Sequence, residues 1–228
     1  MNFLATCQRA ARECGVSGSG PTTVVNQTGE LGRIVNWCAT ANQDIEAAHA
    51  DWMFLRLTMA PFVTVAGQPI YPFGTGAGTV GILADSFGKW ARDTFRCFPT
   101  ATGNTAEMPL EYWEYEQWRD AYQFGANRLV KTRPSVITIT PEQFIGLGPY
   151  PDVGYTITGD YYRAPILLAV DTDIPSLPVQ FHMLIVYKAM MFYGQYEAAP
   201  EVYDRGELEF AKGMARLDAL RLPEVTWG

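Results

Sequence analysis

The sequence predicts an α+β fold: helices at the two ends of the chain form one domain, and an antiparallel β unit is inserted between them. Three observations carry this. Apolar residues recur at three- and four-residue steps from Leu31 to Trp52, the period of an amphipathic helix. From Thr58 to Ala169 that period is lost, and short β-branched and aromatic runs alternate with Gly and Pro punctuation. From Pro178 to Leu220 the helical pattern returns. The expected boundaries are 1–57 and 175–222 for a helical core, 58–174 for the β-rich insertion with one short helix, and 223–228 for an extended C-terminal tail.

Each element has a local cause. Asn2 is placed to cap a first helix running to about Cys14, with Phe3, Leu4, Cys7, Ala10, Ala11 and Cys14 on one face. The Gly-, Ser-, Thr- and Pro-rich stretch 15–29 reads as a loop. A second helix, capped by Thr28, is expected from Glu30 to about Leu57, and Glu30 sets negative charge at its positive dipole end. In the middle, Phe62-Val63-Thr64-Val65 and Ile70-Tyr71-Pro72-Phe73 flank Ala66-Gly67-Gln68-Pro69 as a hairpin, followed by a Gly-rich turn over 74–81. Further strands are predicted at 82–85, 94–98, 136–140, 144–147 and 155–162. Leu110 to Tyr122 reads as a short helix packed on them. Pro178 suits the first turn of a helix to Tyr193, and Pro200 opens a last helix to about Leu220. Gly206 and Gly213 stand seven apart on that helix and cost roughly 1 kcal/mol each against Ala. Either another helix comes close there or the cost is tolerated.

Composition then bounds the function. With 228 residues, 48% hydrophobic and 13% aromatic, the chain can bury a sizeable core, and global disorder is excluded. Seventeen Lys and Arg against 24 Asp and Glu leave a net charge of -7. That argues against gripping phosphate backbones, which requires neutralising cations, but not against DNA passing nearby without being held. Cys7, Cys14, Cys38 and Cys97 are scattered with no CxxC pair, beside only two histidines, so reduced cytoplasmic thiols and no metal site are expected. The first residues lack the features of a signal peptide. The most apolar stretch, Phe181 to Tyr193, falls short of the ~20 residues that span a bilayer and contains Lys188, so no membrane partner is expected.

Motifs that carry chemistry are mostly excluded. Gly76-Ala77-Gly78-Thr79-Val80-Gly81 matches a dinucleotide fingerprint, but Pro72 precedes it and no capped helix follows, so it reads as a loop tip. His49 and His182 read as surface or satisfied core residues, and no nucleophile elbow is formed. Glu111, Glu114, Glu116 and Asp120 supply carboxylates for glycoside hydrolysis or form a solvated acidic face. Trp113, Tyr115, Trp118 and Tyr122 with Arg119 suit either a stacking platform for sugars or bases, or packing and an interface. Without a basic groove beside them, packing or interface is the reading. The segment 222–228, with Pro223, Val225 and Trp227, is expected to dock on a partner by strand addition or a Trp anchor. No catalytic, metal or cofactor residues, and no cofactor, are assigned.

Several runs resemble the tailed-bacteriophage head-to-tail adaptor (connector, neck) proteins: GELGRIVNWC at 29–38, Asp44-Ile45, DWMFLR at 51–56, GDYYRAP at 159–165, FHMLIVYKAMM at 181–191 and YGQYEAAPEVY at 193–203. The resemblance implies a structural virion protein rather than an enzyme. It implies a homo-oligomeric ring, usually twelve subunits, beneath the portal protein, assembled in the host cytoplasm. Such a ring extends the DNA channel and docks the next tail or neck component, while DNA passes without specific binding. On this reading Trp113, Trp118 and Arg119 are expected at subunit contacts, and Pro223, Val225 and Trp227 on the portal. The alternative is a virion-associated glycan or cell-wall hydrolase, or a carbohydrate-binding protein.

Overall fold

The computed structural model describes residues 1–221, so the expected portal contacts Pro223, Val225 and Trp227 lie outside the described residues. The helices are α1 Phe3–Glu13, α2 Gly29–Ala47, α3 Tyr115–Trp118, α4 Met183–Tyr196 and α5 Pro200–Arg221. The strands are β1 Arg56–Thr58, β2 Phe62–Val63, β3 Ile70–Tyr71, β4 Phe87–Pro99, β5 Met108–Pro109, β6 Glu111–Tyr112, β7 Val136–Ile139, β8 Ile145–Gly148 and β9 Tyr155–Arg163. They form two compact units: Met1–Leu55 with the chain from Pro165 onward, and Arg56–Ala164. Helices thus flank a central β region, an α+β fold.

In the helical unit, the Asn2 side chain accepts from the Ala5 amide at 2.9 Å and starts α1, the cap its sequence position predicts. The apolar helix α4 buries Leu184, Ile185, Val186, Ala189 and Met190 and packs against α1, α2 and α5. Its contact with α5 is close because α5 carries glycine where the two meet. A Cβ on Gly206 would stand 2.9 Å from the Tyr187 carbonyl oxygen, and one on Gly213 would collide with Cδ2 of Leu184. The seven-residue spacing of these glycines is therefore the mark of a helix pair. Helix α2 ends ten residues before the expected Leu57, at Ala47. Trp52 folds back, is 0% exposed, and donates its indole N–H to the Ile45 carbonyl at 3.1 Å, a second donor to an oxygen of the last turn that also accepts from the Ala48 amide at 3.3 Å.

The segment after Pro165 packs with the helices, although the sequence reading carries the β region to 174. Side chains of α2 supply its backbone partners: Asn42 donates to the Ile166 carbonyl at 3.1 Å, and Glu46 accepts from the Ile166 amide at 2.8 Å. Asp171 accepts from Thr23 and the Val24 amide. Asp173 accepts from the Ala169 and Val170 amides, and those bonds hold its carboxyl below the usual range. Before α4, buried His182 contacts the Leu177 carbonyl through Nε2 at 2.9 Å and the Met1 ammonium through Nδ1 at 2.7 Å. An ammonium cannot accept, so Nδ1 must, which fixes the neutral tautomer with the proton on Nε2.

The β unit is two sheets packed face to face. One has the order β1-β9-β4-β5, with β2 also on β9; the other runs β3-β8-β7-β6. Pairing is antiparallel except between β6 and β7, where it is parallel. Phe62, Trp90, Phe95, Cys97 and Ile157 meet Tyr71, Ile137, Ile139, Ile145 and Leu147 between them. The Trp90 indole crosses over to the Gln143 carbonyl at 2.8 Å. Three local expectations are corrected. Phe62–Val63 and Ile70–Tyr71 are no hairpin, since β2 pairs with β9 and β3 with β8. The Tyr71 hydroxyl holds the corner between them, accepting from the Val65 amide at 3.2 Å and donating to the Gln68 carbonyl at 2.8 Å. Residues 82–85 form no strand; a 3-10 turn at Ala84–Ser86 leads into β4, which is far longer than the expected 94–98. The expected helix over 110–122 is confined to α3 and a π turn at Arg119–Gln123, because the chain first pairs as β6.

Two outcomes follow for the helical unit. Gly206→Ala should lose about 1–3 kcal/mol from overpacking, more than the ~1 kcal/mol that alanine gains in a helix, measured by urea denaturation. Burial lowers the His182 pKa from 6.5 and is the leading cause. The unfolded chain therefore binds this proton more readily, and the His182 contribution is complete above pH 6.5 and lost as pH falls through the lower folded value. The wild-type melting temperature should fall below pH 6.5 more steeply than that of His182→Gln, and equal slopes would contradict this.

Candidate interaction surfaces

The aromatic segment of the β unit is held out from the second sheet by β6. The Trp113 amide donates to the Ile137 carbonyl at 2.9 Å, extending the β6–β7 pairing by one residue before the chain turns into α3. Within this segment the structure separates residues that look alike in sequence. Trp118 is 0% exposed. It lies on Gly146 and Gly148 of β8, where a Cβ would come within 3.3 Å of its ring carbon Cζ2 and 2.9 Å of its indole nitrogen respectively. A side chain with no exposed surface has nothing to offer a neighbouring subunit, so its expected place at a subunit contact is corrected to a place in the core.

Trp113 and Arg119 remain at the surface. Trp113 is half-buried and packs against Tyr122 with ring centroids 6.0 Å apart. The Arg119 guanidinium is 5.9 Å from the ring centres of both Tyr115 and Phe124, and 3.6 Å from Asp120. Burial pushes the Tyr122 phenol up, and the Glu111 carboxylate adds to the effect. Arg92 covers the Tyr112 ring at 4.6 Å and reaches Glu114 at 3.8 Å. Arginine set over aromatic rings at a partly exposed site is the composition of protein interfaces.

The carboxylates weighed for hydrolysis are solvated. Glu114 is 70% exposed beside Arg92, Asp120 is 71% exposed beside Arg119, and Glu111 and Glu116 are exposed. The glycine run 76–81 is a closed loop: the Val80 amide donates to Pro72, the Gly74 amide to Ile82, and the Thr79 hydroxyl to Gly76. A β strand, not a helix, is the next regular element beyond the 3-10 turn at Ala84–Ser86, which is wrong for a dinucleotide site. His49 is half-buried, edge-on to Trp52 at 4.8 Å and 3.4 Å from Asp218. The four cysteines are free and buried, and burial drives the Cys14 thiol to about 12. Among the described residues no three His, Cys, Asp or Glu converge as metal ligands, and no helix is long and apolar enough to cross a membrane.

A second aromatic surface lies on the helical unit, at residues for which the sequence predicts no site. Trp37 of α2 meets Tyr193 at 6.2 Å and Tyr196 at 5.7 Å, while Arg33 lies 4.5 Å over the Tyr196 ring and 3.7 Å from Glu197. Tyr196 is 58% exposed. The signal was present as Arg33 and Trp37 four apart on one helix and Tyr193 and Tyr196 three apart on another, which puts each pair on one face.

No curated protein matches the chain. The family model described as SU10 adaptor protein matches residues 1–226. That family is structural rather than catalytic, and with the carboxylates solvated nothing supports the hydrolase or carbohydrate-binding alternative. The chain belongs to the SU10 adaptor protein family and is a head-to-tail connector, a structural protein of the virion that interacts with portal and tail components.

Proposed function

We propose that the chain forms a closed ring, of twelve subunits, beneath the portal protein, assembling in the host cytoplasm as the neck is built. The ring extends the DNA channel and presents a surface to the next tail or neck component. Membership of the adaptor family along nearly the whole chain is the observation that supports this reading. Two features are in keeping with it. The net charge of -7 suits a wall that DNA slides past, because anionic groups release no counterions to it. A ring also needs one surface of each subunit to fit a different surface of the next by a rotation that closes. The β unit and the helical unit offer two different aromatic–arginine surfaces. Trp113 and Arg119 serve the subunit contact, Trp118 supports them from within, and Pro223, Val225 and Trp227 engage the portal.

Electron microscopy of the purified chain mixed with its portal should show an added ring of twelve subunits below the portal. Deleting residues 222–228 should abolish portal binding and leave the circular dichroism spectrum unchanged; normal binding by the truncated chain would refute the tail assignment. Trp113→Ala with Arg119→Glu should weaken ring formation at least tenfold with stability kept within about 1 kcal/mol. Trp118→Ala should instead cost about 3–5 kcal/mol of stability, the usual loss for a buried aromatic. The same stability loss from both variants would remove the distinction between contact and core.

A further inference from the structure

The loop that follows the π turn displays apolar side chains that the monomer does not cover. Phe124 is 58% exposed, Leu129 76% and Val130 47%, within seven consecutive residues. The loop is firmly seated at its base. The Arg133 guanidinium donates to the Cys97 and Ala106 carbonyls, and the Thr132 amide donates to Tyr150 at 2.9 Å. It is also cationic: between Asp120 and Glu142 the sequence holds Arg128, Lys131 and Arg133 and no acid. Arg119, above the Phe124 ring, joins it to the surface already described.

The opposite combination occurs on α5. Gly206 faces α4, and Leu208, two residues and about 200° further round the helix, points away from α4 with 56% of its surface exposed. Exposed Glu201, Asp204 and Glu207 precede Leu208 within two turns of the helix. The neighbouring cations are turned elsewhere, Arg205 to Glu13 at 2.8 Å and Lys212 to Glu209 at 2.8 Å. One surface is apolar and flanked by cations, and the other is apolar and flanked by carboxylates on its N-terminal side.

We propose that the 124–131 loop of one copy docks on the outward face of α5 of the next copy. Leu129 covers Leu208, and Arg128 and Lys131 meet Asp204 and Glu207. The occupant is a second copy because this chain carries both halves of the complementary pair, and because a head-to-tail contact between two different patches is what generates a ring. The inference rests on the ring reading and specifies which surfaces close it.

The test uses the full chain assembled on its portal. All four native cysteines are buried, so a new surface cysteine is the reactive one. Leu129→Cys and Leu208→Cys chains, one size-tagged, are mixed and oxidised with diamide; two single variants cannot cross-link within one chain. The 129–208 heterodimer should exceed either homodimer at least tenfold, and a Leu83→Cys control, at another exposed leucine, should not pair with position 208. Arg128→Glu with Lys131→Glu should cut that product at least tenfold, and Asp204→Lys with Glu207→Lys in the partner chain should restore it. Rings visible by microscopy with no excess of the 129–208 product, or indifference to charge reversal, would overturn the contact while leaving the ring reading intact. Absence of any ring on the portal would sink the ring reading, and the contact with it.

Discussion

The architecture depends on the antiparallel pairing of β9 with β1. The chain leaves the helical unit at Leu55 and returns to it at Pro165, and the first and last strands between those points are neighbours. Arg56 stands opposite Tyr162 and Thr58 opposite Asp160. The Arg56 guanidinium grips one Asp160 oxygen through two nitrogens at 2.8 and 3.0 Å, a charge-assisted pair at the point of exit and return. Because exit and return lie side by side, the helical unit experiences the whole β unit as a short connection, and each unit can keep its own core. The returning segment is then held by Asn42 and Glu46 of α2.

Glycine sets the packing distance in both units. In the helical unit, Gly206 and Gly213 admit α4, and Gly194 of α4 leaves room for Tyr203, whose backbone nitrogen lies 2.8 Å from where a Cβ would be. In the β unit, Gly146 and Gly148 form the floor under Trp118, and Gly159 accepts the Phe95 ring, 2.5 Å from its missing Cβ. Large rings are seated where the opposite strand has no side chain. This arrangement fills the interior densely at positions where almost any other residue would overpack it.

The helical parts were legible because their signals are local. Asn2, the apolar period of α2, and Pro200 at the start of α5 act within one or two turns of themselves. What was not legible arises from partners distant in sequence or from choices that residue type leaves open. The early end of α2 requires knowing that Trp52 reaches back to Ile45 instead of continuing the stripe it fits. Residues 62–73 look like a hairpin until β8 and β9 compete for the two halves. Trp113 and Trp118 are equally good interface residues by composition. Only the paired glycines of β8, remote in sequence, decide that one is core and the other surface.

Charge is divided between the units in a way the total conceals. The helical unit carries eight Lys and Arg against fourteen Asp and Glu, whereas the β unit carries nine against ten. Nearly all of the net -7 therefore belongs to the helices. An even spread of charge would make copies of the chain repel over every surface. Segregation leaves the β unit close to neutral with a locally basic loop, which on the ring reading lets it approach the acidic helices of another copy. It also leaves the helical unit six anionic groups in surplus over its Lys and Arg. On the ring reading those groups repel both a duplex passing through the lumen and any binding that draws on released counterions. On that reading one distribution of charge serves two needs, attraction between subunits and indifference to DNA, and neither need calls for a reactive side chain.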